Sequence, residues 1–458
     1  MLQGVKMQPN FLQGKKQRSQ ALLTGAFAVL WIAAAYGQVP AETTAADKPI
    51  TLEEAIHRAE ANEPAYAASS AESRAAGLDR SIARAGLLPG VVYHNQAIYT
   101  QPNGDKSQGT ATQTTQKFIA NNGVHEYASQ AVINETLGLG GLAGVRRTDA
   151  AAARAKAELE IARRGLVAAV TGLFYGSLAA DTKLAVAQRA NQEAAEFTSL
   201  TDKREQAREA AHADVVKAQL AEQQRLRDVQ DARLAAEKAH LELGVLLFAD
   251  PRTPYTLAPA NATDLASRAE IDQAAAKNNP ELKSALASLN VSNAEVLAAR
   301  AAYLPDLGLN VTYGIDAPQF AVNGPDGVRN LGYAASVTVD IPVWDWLSTQ
   351  HKVRQSAIRR DAAKVALTAT QRRLIARLDE AYSEAVAARD QLDSLDASVA
   401  TAAESLRLTK LRYTEGEATV LEVVDAQNAF VGAENAREDG RVRFQAARAD
   451  LQTLTGTM

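Results

Sequence analysis

The stretch "RAAYLP" at Arg300–Pro305 has a near copy, "RAGLLP", at Arg84–Pro89. Each copy ends 25 residues after an earlier proline, Pro280 for the first and Pro64 for the second. Proline is tolerated at the first position of a helix, where its missing N–H costs little, but it cannot continue a helix from within. Each proline pair therefore predicts the start and the end of one short helix. The matched intervals and flanking residues indicate an internal duplication.

Alternating segments follow each of the later prolines. "LGLNVTYGID" at Leu307–Asp316 and the segment Leu331–Ile341 place apolar side chains at every second position, with small or polar ones between them. Val91–Gln101 and Val124–Leu137 repeat this plan in the first half with a weaker pattern. A period of two is typical of β-strands with one apolar face. Each half therefore predicts one pair of strands joined by a long loop.

Long helices follow each strand pair. We predict two antiparallel hairpins, Leu142–Glu205 with Ala211–Phe248 and Leu347–Tyr413 with Ala418–Thr455. Apolar or small residues recur at seven-residue steps from Leu378 to Tyr413, as in a coiled-coil seam. The long helices have 64 and 67 residues, whereas their return partners have 38 each. The 22-residue proline-bounded helix of each half, Ala65–Gly86 or Glu281–Ala302, would stack end to end on the return helix and nearly make up the difference.

The N-terminus has the pattern of an export signal. Four basic residues between positions 6 and 18 precede an apolar stretch at 21–35, and small residues at Ala35 and Gly37 suit cleavage by a signal peptidase. Fifteen apolar residues are short for a membrane-spanning helix, which needs about 20. We therefore predict a signal peptide at residues 1–37 and an exported mature chain.

Composition and charge narrow the class of the mature protein. It has 45 basic and 53 acidic residues, a net charge of −8, which gives no case for binding nucleic acid. The sequence contains no cysteine, which excludes disulfides and thiol chemistry. No later segment is apolar enough over the required length to cross a bilayer as a helix.

The duplication divides the mature chain into two parts. We predict two structural repeats, at 38–262 and 263–458.

Signals for catalysis or for a cofactor are weak. "GLGGLAG" at Gly138–Gly144 contains a G-x-G-x-x-A match, but a polar "NET" precedes it and no βαβ unit follows. The six histidines are scattered and form no metal-ligand motif. The sequence therefore predicts a protein that is not an enzyme and has no cofactor or metal site.

The strand count limits how the sheet can be completed. Four strands cannot close a barrel, for which about eight is the practical minimum. Open strand edges cannot face lipid, because unpaired backbone groups there cost several kcal/mol each. Apolar-faced strands of an exported chain must therefore combine with those of other copies, either two copies with eight strands or three with twelve.

The duplicated plan, the R-A-x-x-L-P segments and "RYTEGEATVLEVVDAQNAF" at 412–430 resemble the TolC-like outer-membrane efflux proteins. The resemblance covers nearly all of the mature chain. It implies a mainly α fold with a membrane β-barrel, completed by a homotrimer with twelve strands and a helical tunnel in the periplasm. It also implies an exit duct of a tripartite efflux or type I secretion system, with a periplasmic adaptor protein, an inner-membrane pump and outer-membrane lipid as partners.

The two hairpins differ at one position that the resemblance makes informative. "DVVKAQ" at Asp214–Gln219 matches "EVVDAQ" at 422–427 with a constant offset of 208 residues. The same offset predicts a glycine opposite Gly416, but Arg208 stands there. This sequence therefore departs from the family pattern at the tip of the first hairpin.

Glu422 and Asp425 are the predicted gate. They are three residues apart and so lie on one helix face. Exposed carboxylates on a helix are usually only solvated, but three-fold symmetry would gather six of them around one axis. The resemblance implies that they form an acidic ring at the closed periplasmic end of the tunnel.

The resemblance also implies a latch at the hairpin tip, built from Asp214, Arg412, Tyr413 and Gly416. Asp214 and Tyr413 match positions that tie neighbouring hairpins shut. Ala418 stands in the place of an arginine that often assists them. The predicted latch is therefore weaker than usual in the family.

A soluble periplasmic coiled-coil scaffold or adaptor is the alternative from another class. It accounts for the heptads but leaves the amphipathic strands unexplained. The channel interpretation further predicts that the loops Pro102–Gly123 and Asp316–Asn330 face the outside of the cell.

Overall fold

The computed structural model describes residues 48–99, 125–259 and 264–456. Its elements in chain order are α1 Leu52–Asn62, α2 Pro64–Ala85, β1 Gly90–Tyr99, β2 His125–Leu137, α3 Leu139–Gln206, α4 His212–Leu247, α5 Arg268–Asn278, α6 Pro280–Ala301, β3 Asp306–Ala317, β4 Leu331–Asp340, α7 Ser348–Thr414 and α8 Val420–Thr455. The order helix, helix, strand, strand, helix, helix thus occurs twice. The predicted signal peptide, the loop 102–123 and the predicted repeat boundary at 262 lie outside the described residues.

The prolines start the two short helices, as predicted. Pro64 and Pro280 are the first residues of α2 and α6. The residue before each proline caps the helix: Glu63 accepts the N–H of Ala65 at 3.3 Å, and Asn279 accepts that of Leu282 at 2.9 Å. Both helices have 22 residues and end four positions before the second proline of their pair. A single turn then leads into a strand.

The four strands form one antiparallel sheet in the order β1-β2-β3-β4. The β2–β3 pairing joins the two halves of the chain, with Val311 opposite Ile133 and Tyr313 opposite Ala131. Directly opposed side chains share a face, so the apolar residues predicted for β3 and β4 lie together on one face of the sheet. That face is open, and Tyr333 of the outer strand β4 is 82% exposed. Among the described strands, β1 and β4 are the two edges of the sheet.

Six helices, which are α2, α3, α4, α6, α7 and α8, pack side by side as a wall. α3 contacts α2, α4, α6 and α8, and α7 contacts α6 and α8. The long helices α3 and α7 have 68 and 67 residues. The short helices α2 and α6 have 22 residues each, and α4 and α8 have 36 each. Two short helices therefore run beside each long one, as their lengths predict. At 1.5 Å per residue the wall is about 100 Å long.

Each end-to-end joint of short helices is fixed by an asparagine. Asn62 Nδ2 donates to the carbonyl of Leu247 at the end of α4, at 2.8 Å. Asn279 Nδ2 donates to the carbonyl of Leu454 near the end of α8, at 3.1 Å. These bonds satisfy carbonyls that a helix C-terminus leaves unpaired.

The larger apolar clusters lie at the same joints. One combines α1, α3 and α4, and the other combines α5, α7 and α8. Their central members are Phe174 and Leu243 in the first, and Leu378 and Leu451 in the second. The wall is therefore most firmly packed where two helices meet end to end.

One expectation about membrane spans is wrong. α3 does contain a stretch that is long and apolar enough to cross a membrane as a helix. It contacts five other helices, which are α1, α2, α4, α6 and α8, and a core helix passes the same test of length and composition. We therefore assign α3 to the helical wall.

Candidate functional site

The tips of the two hairpins have the same backbone conformation. In the first, the N–H of Arg208 donates to the carbonyl of Glu205 at 2.8 Å, and in the second the N–H of Gly416 donates to that of Tyr413 at 3.1 Å. The flanking turn bonds also correspond at the offset of 208 residues. Arg208 and Gly416 have φ of 62° and 83°. Arg208 therefore adopts the left-handed conformation that the glycine pattern predicts, although it is not a glycine.

Glu422 is part of the start of α8. Its N–H donates to Thr419 Oγ1 at 3.3 Å, and Thr419 Oγ1 donates to Glu422 Oε1 at 3.2 Å. The carboxylate also lies 3.6 Å from Arg412 Nη1. The predicted gate residue thus helps to cap its own helix and is partly neutralised by a neighbouring cation.

Asp425 is differently placed. It lies one turn further along α8 and is exposed, while Val423 and Ala426 beside it are buried. Within the described ranges, no hydrogen bond or ion pair involves its carboxylate. The structure therefore puts both predicted gate carboxylates on the exposed side of α8, but only Asp425 is unpaired there.

Tyr413 is buried and bonds to α3. Its hydroxyl lies 3.1 Å from Thr201 Oγ1, and Thr201 Oγ1 donates to the carbonyl of Phe197 at 2.9 Å. A hydroxyl has one hydrogen, so Tyr413 must be the donor in its bond to Thr201. The rings of Phe197 and Tyr413 meet edge to face at 5.0 Å. Within one chain the structure does not bring Tyr413 to Asp214, whose carboxylate lies 3.4 Å from Lys217 Nζ.

Arg204 at the end of α3 is a site residue that the sequence argument missed. Its Nη1 donates to the carbonyl oxygen of Tyr413, and its guanidinium carbon lies 4.9 Å from the centre of the Tyr413 ring. Its Nε is 3.5 Å from a carboxylate oxygen of Glu209. One signal for it was available, since Arg204 precedes Arg412 by the same 208 residues.

An apolar cluster joins the two tips. Phe197 of α3, Ala218 of α4, Tyr413 of α7 and Val423 of α8 are buried in it, and Ala418 packs against it. The position that the resemblance assigns to a latch arginine thus contributes an apolar contact instead.

The two tips differ in charge. Residues 204–217 contain three basic and three acidic residues, whereas 412–425 contain one basic and four acidic residues. Their net charges are therefore zero and −3. Of the two tips, the second is therefore the acidic one.

In this chain an open sheet with an exposed apolar face leads into a long helical wall. The family model "Outer membrane efflux protein" matches residues 271–457. The outer membrane protein OprJ of Pseudomonas aeruginosa is 26% identical over 68% of this chain, and the match spans 65% of OprJ. The alkaline protease secretion protein AprF of the same bacterium is 24% identical over 89% of this chain and 84% of its own length.

A solved structure agrees with this fold. The outer membrane protein VceC of Vibrio cholerae has a TM-score of 0.72 at 15% identity, covering 88% of this chain and 96% of VceC. At this identity the likeness establishes the fold alone. Together with the sequence matches, it shows that the chain is similar to outer-membrane efflux and secretion proteins in sequence and in fold.

Proposed function

We propose that the protein is the outer-membrane exit duct of a tripartite efflux or type I secretion system. The observation that carries this proposal is the continuity of one apolar-faced sheet with a helical wall about 100 Å long. A duct of this shape conducts passively from the periplasm to the exterior. The energy comes from a partner pump, and the protein itself performs no catalysis.

Assembly follows from the two free strand edges. β1 of one copy pairs with β4 of the next, and three copies give twelve strands around one axis. The match to the outer membrane efflux protein model and the match to a protein named for protease secretion support a homotrimer that works with a periplasmic adaptor and an inner-membrane pump. The barrel lies in outer-membrane lipid, and the helical part lies in the periplasm.

A soluble periplasmic scaffold is the competing function. It would have to leave the apolar face of the sheet in water, including Val337 and Val339, which are 66% and 57% exposed in one chain. Exposed apolar patches of this kind mark interaction or membrane surfaces. A channel covers the same face with lipid.

The hairpin tips form the gate in this proposal. Three-fold symmetry brings the acidic second tips around the axis, where Glu422 and Asp425 form a ring that attracts cations and repels anions. Asp425 is its principal member, because Glu422 is engaged with Thr419 and Arg412.

The test is single-channel conductance in a planar bilayer with Asp425→Asn. This change removes one negative charge from each protomer and leaves the helix cap intact. We expect reduced cation selectivity and weaker block by multivalent cations. Asp393→Asn is the matched control, an exposed aspartate on α7 that lies about 30 Å along the helix from Tyr413.

Two results would count against these proposals. Unchanged selectivity in Asp425→Asn, with a conducting wild-type channel, means that the acidic ring is only a solvated surface. A wild-type protein that is extracted without detergent and forms no channel contradicts the duct itself.

A further inference from the structure

We propose that Arg204 is the latch that holds the two helical hairpins of one protomer together at the gate, and that its release is a step in opening. This inference rests on the proposed function of the tips as a gate. It assigns the closing contact to Arg204 of the first hairpin, a residue that is not a member of the predicted latch.

Two contacts of Arg204 join the first hairpin to the second. A third, with Glu209, lies within the first hairpin. The side chain leaves the last turn of α3, donates to the Tyr413 carbonyl in the last turn of α7 and stacks over the Tyr413 ring. A Cβ placed on Gly416 would lie 3.8 Å from Arg204 Nη2, so the guanidinium also borders the left-handed turn. Only 17% of the side chain is exposed. The cation is therefore enclosed between the two tips.

Two features make this contact favourable in the closed state. A cation at the C-terminal end of a helix interacts well with the helix dipole, and α7 ends at Thr414, one residue beyond the bonded carbonyl. An arginine over the face of a tyrosine adds a cation–π attraction. Both are lost if α3 and α7 separate at their tips.

The equivalent residue of the second hairpin makes no such crossing. Arg412 Nη2 donates to the carbonyl of Glu417 at 3.1 Å, and Arg412 Nη1 lies 3.6 Å from Glu422. Both partners belong to its own hairpin. The crossing contact is therefore specific to Arg204 and does not follow from the duplication.

Thr201 adds a second polar link on the same side of α3. It is three residues before Arg204 and accepts the Tyr413 hydroxyl at 3.1 Å. Tyr413 is thus held at both ends, by Thr201 at its hydroxyl and by Arg204 at its carbonyl and ring. Asp214 makes no polar contact with it in this chain, and Ala418 contributes only apolar packing to the cluster that contains it.

The latch also carries a cost that favours its release. Arg204 Nε is fully buried and has no hydrogen-bond partner among the described residues. The nearby carboxylate of Glu209 at 3.5 Å compensates only by charge. A buried donor without a partner is destabilising, and exposure to water on opening would satisfy it. This unpaired donor therefore lowers the free-energy cost of separating the two tips.

The experiment compares Arg204→Gln with Lys203→Gln in planar bilayers. Lys203 is the exposed neighbour, so its change removes the same charge from the same tip without the contacts. We expect about a tenfold or larger shift of the equilibrium toward the open state for Arg204→Gln, on the scale of one lost charged hydrogen bond. Arg204→Lys keeps the charge but not the planar fork and should restore closure only in part.

A second measurement does not depend on conduction. The sequence has no cysteine, so spin labels can be placed uniquely at Gln206→Cys and Glu415→Cys, one on each tip. Labelled protomers are diluted with unlabelled ones so that only distances within a protomer are recorded. We expect a longer and broader distance distribution when Arg204→Gln is added, and no change with Lys203→Gln.

The outcomes separate the two proposals. A label distance and an open probability that both stay at wild-type values in Arg204→Gln overturn the latch. Equal effects of Arg204→Gln and Lys203→Gln also overturn it, because charge alone would then explain them. A wild-type protein that forms no channel contradicts the exit duct, while the label distance still decides whether Arg204 joins the tips.

Discussion

Arg208 and Gly416 occupy the same backbone position in the two tip turns, with φ of 62° and 83°. Glycine adopts this conformation freely, whereas any other residue brings its Cβ close to the backbone at a cost of roughly 1–2 kcal/mol. Arg208 is exposed, and its side chain makes no hydrogen bond or ion pair to the described parts of the chain. Nothing on the side chain therefore offsets the strain.

We expect Arg208→Gly to stabilise the protein by about 1 kcal/mol, because it removes this strain while the turn stays as it is. The measurement is the midpoint of denaturant unfolding of the detergent-solubilised protein. Ala207→Gly is the control, since Ala207 has φ of −78° and gains no relief from glycine. A destabilised Arg208→Gly variant would mean that the arginine side chain makes a contact in the assembly that outweighs the strain.

Element boundaries are the part of the fold that the sequence predicts best. The predicted helix Leu347–Tyr413 corresponds to Ser348–Thr414 in the structure, and Leu142–Glu205 corresponds to Leu139–Gln206. Prolines, tip turns and the change of period from helix to strand are local signals, so a single sequence suffices to place them.

The sequence does not predict which side chains of different helices contact each other. The bond between Tyr413 and Thr201 joins residues 212 positions apart, and the contact of Arg204 with Tyr413 joins residues 209 apart. Such contacts depend on how each helix is rotated about its axis, which a seven-residue repeat fixes only coarsely. Within this chain the carboxylate of Asp214 lies next to Lys217, and the predicted contact between Asp214 and Tyr413 of neighbouring hairpins stays a prediction.

Substitutions of Asn279 test how much the joint between α6 and α8 contributes to stability. It is buried, accepts the N–H of Leu282 as the cap of α6 and donates to the Leu454 carbonyl. Asn279→Ala should cost about 2 kcal/mol or more in unfolding free energy, because it removes a cap and leaves a partly buried carbonyl without its donor. Asn279→Ser keeps a capping oxygen but is too short to reach Leu454. We expect it to recover part of the loss, and a full recovery would assign the whole effect to the cap.

His240 should make the packing of α4 against α3 pH-dependent. Its Nε2 lies 2.9 Å from Asp181 Oδ1, and this hydrogen bond raises the pKa of His240 above its ordinary value of 6.5, although burial opposes the shift. A raised pKa in the folded state means that the stabilisation is fully present below pH 6.5 and is lost as the pH rises through the folded-state pKa.

The measurement compares unfolding midpoints of the wild type and His240→Gln between pH 5.5 and pH 8.5. We expect the wild type to be the more stable below pH 6.5 and the difference to shrink as the pH rises. His57→Gln, a change at an exposed histidine of α1, is the control. A difference that is constant across this range would show that His240 acts through packing alone.

At the scale of the whole molecule, the strands and the tip turns lie at opposite ends. β4 leads directly into α7, which runs for 67 residues, or about 100 Å, before it reaches the tip at Glu415. The β3–β4 loop is therefore farther from the tips than a bilayer is thick. If the sheet is in the outer membrane with the helices in the periplasm, this loop must be on the outer surface of the cell.

Asn323→Cys tests that orientation. Asn323 is exposed in the β3–β4 loop, and its backbone pairs with Arg329 across the loop. The natural sequence has no cysteine, so the new thiol is the only one that a reagent can modify. We expect a membrane-impermeant maleimide to label it on intact cells. Glu415→Cys, exposed at the opposite end, should be labelled only after the outer membrane is permeabilised. The reverse pattern in a protein that fractionates with the outer membrane would invert the orientation, placing the acidic tips outside the cell and removing the basis for a periplasmic gate.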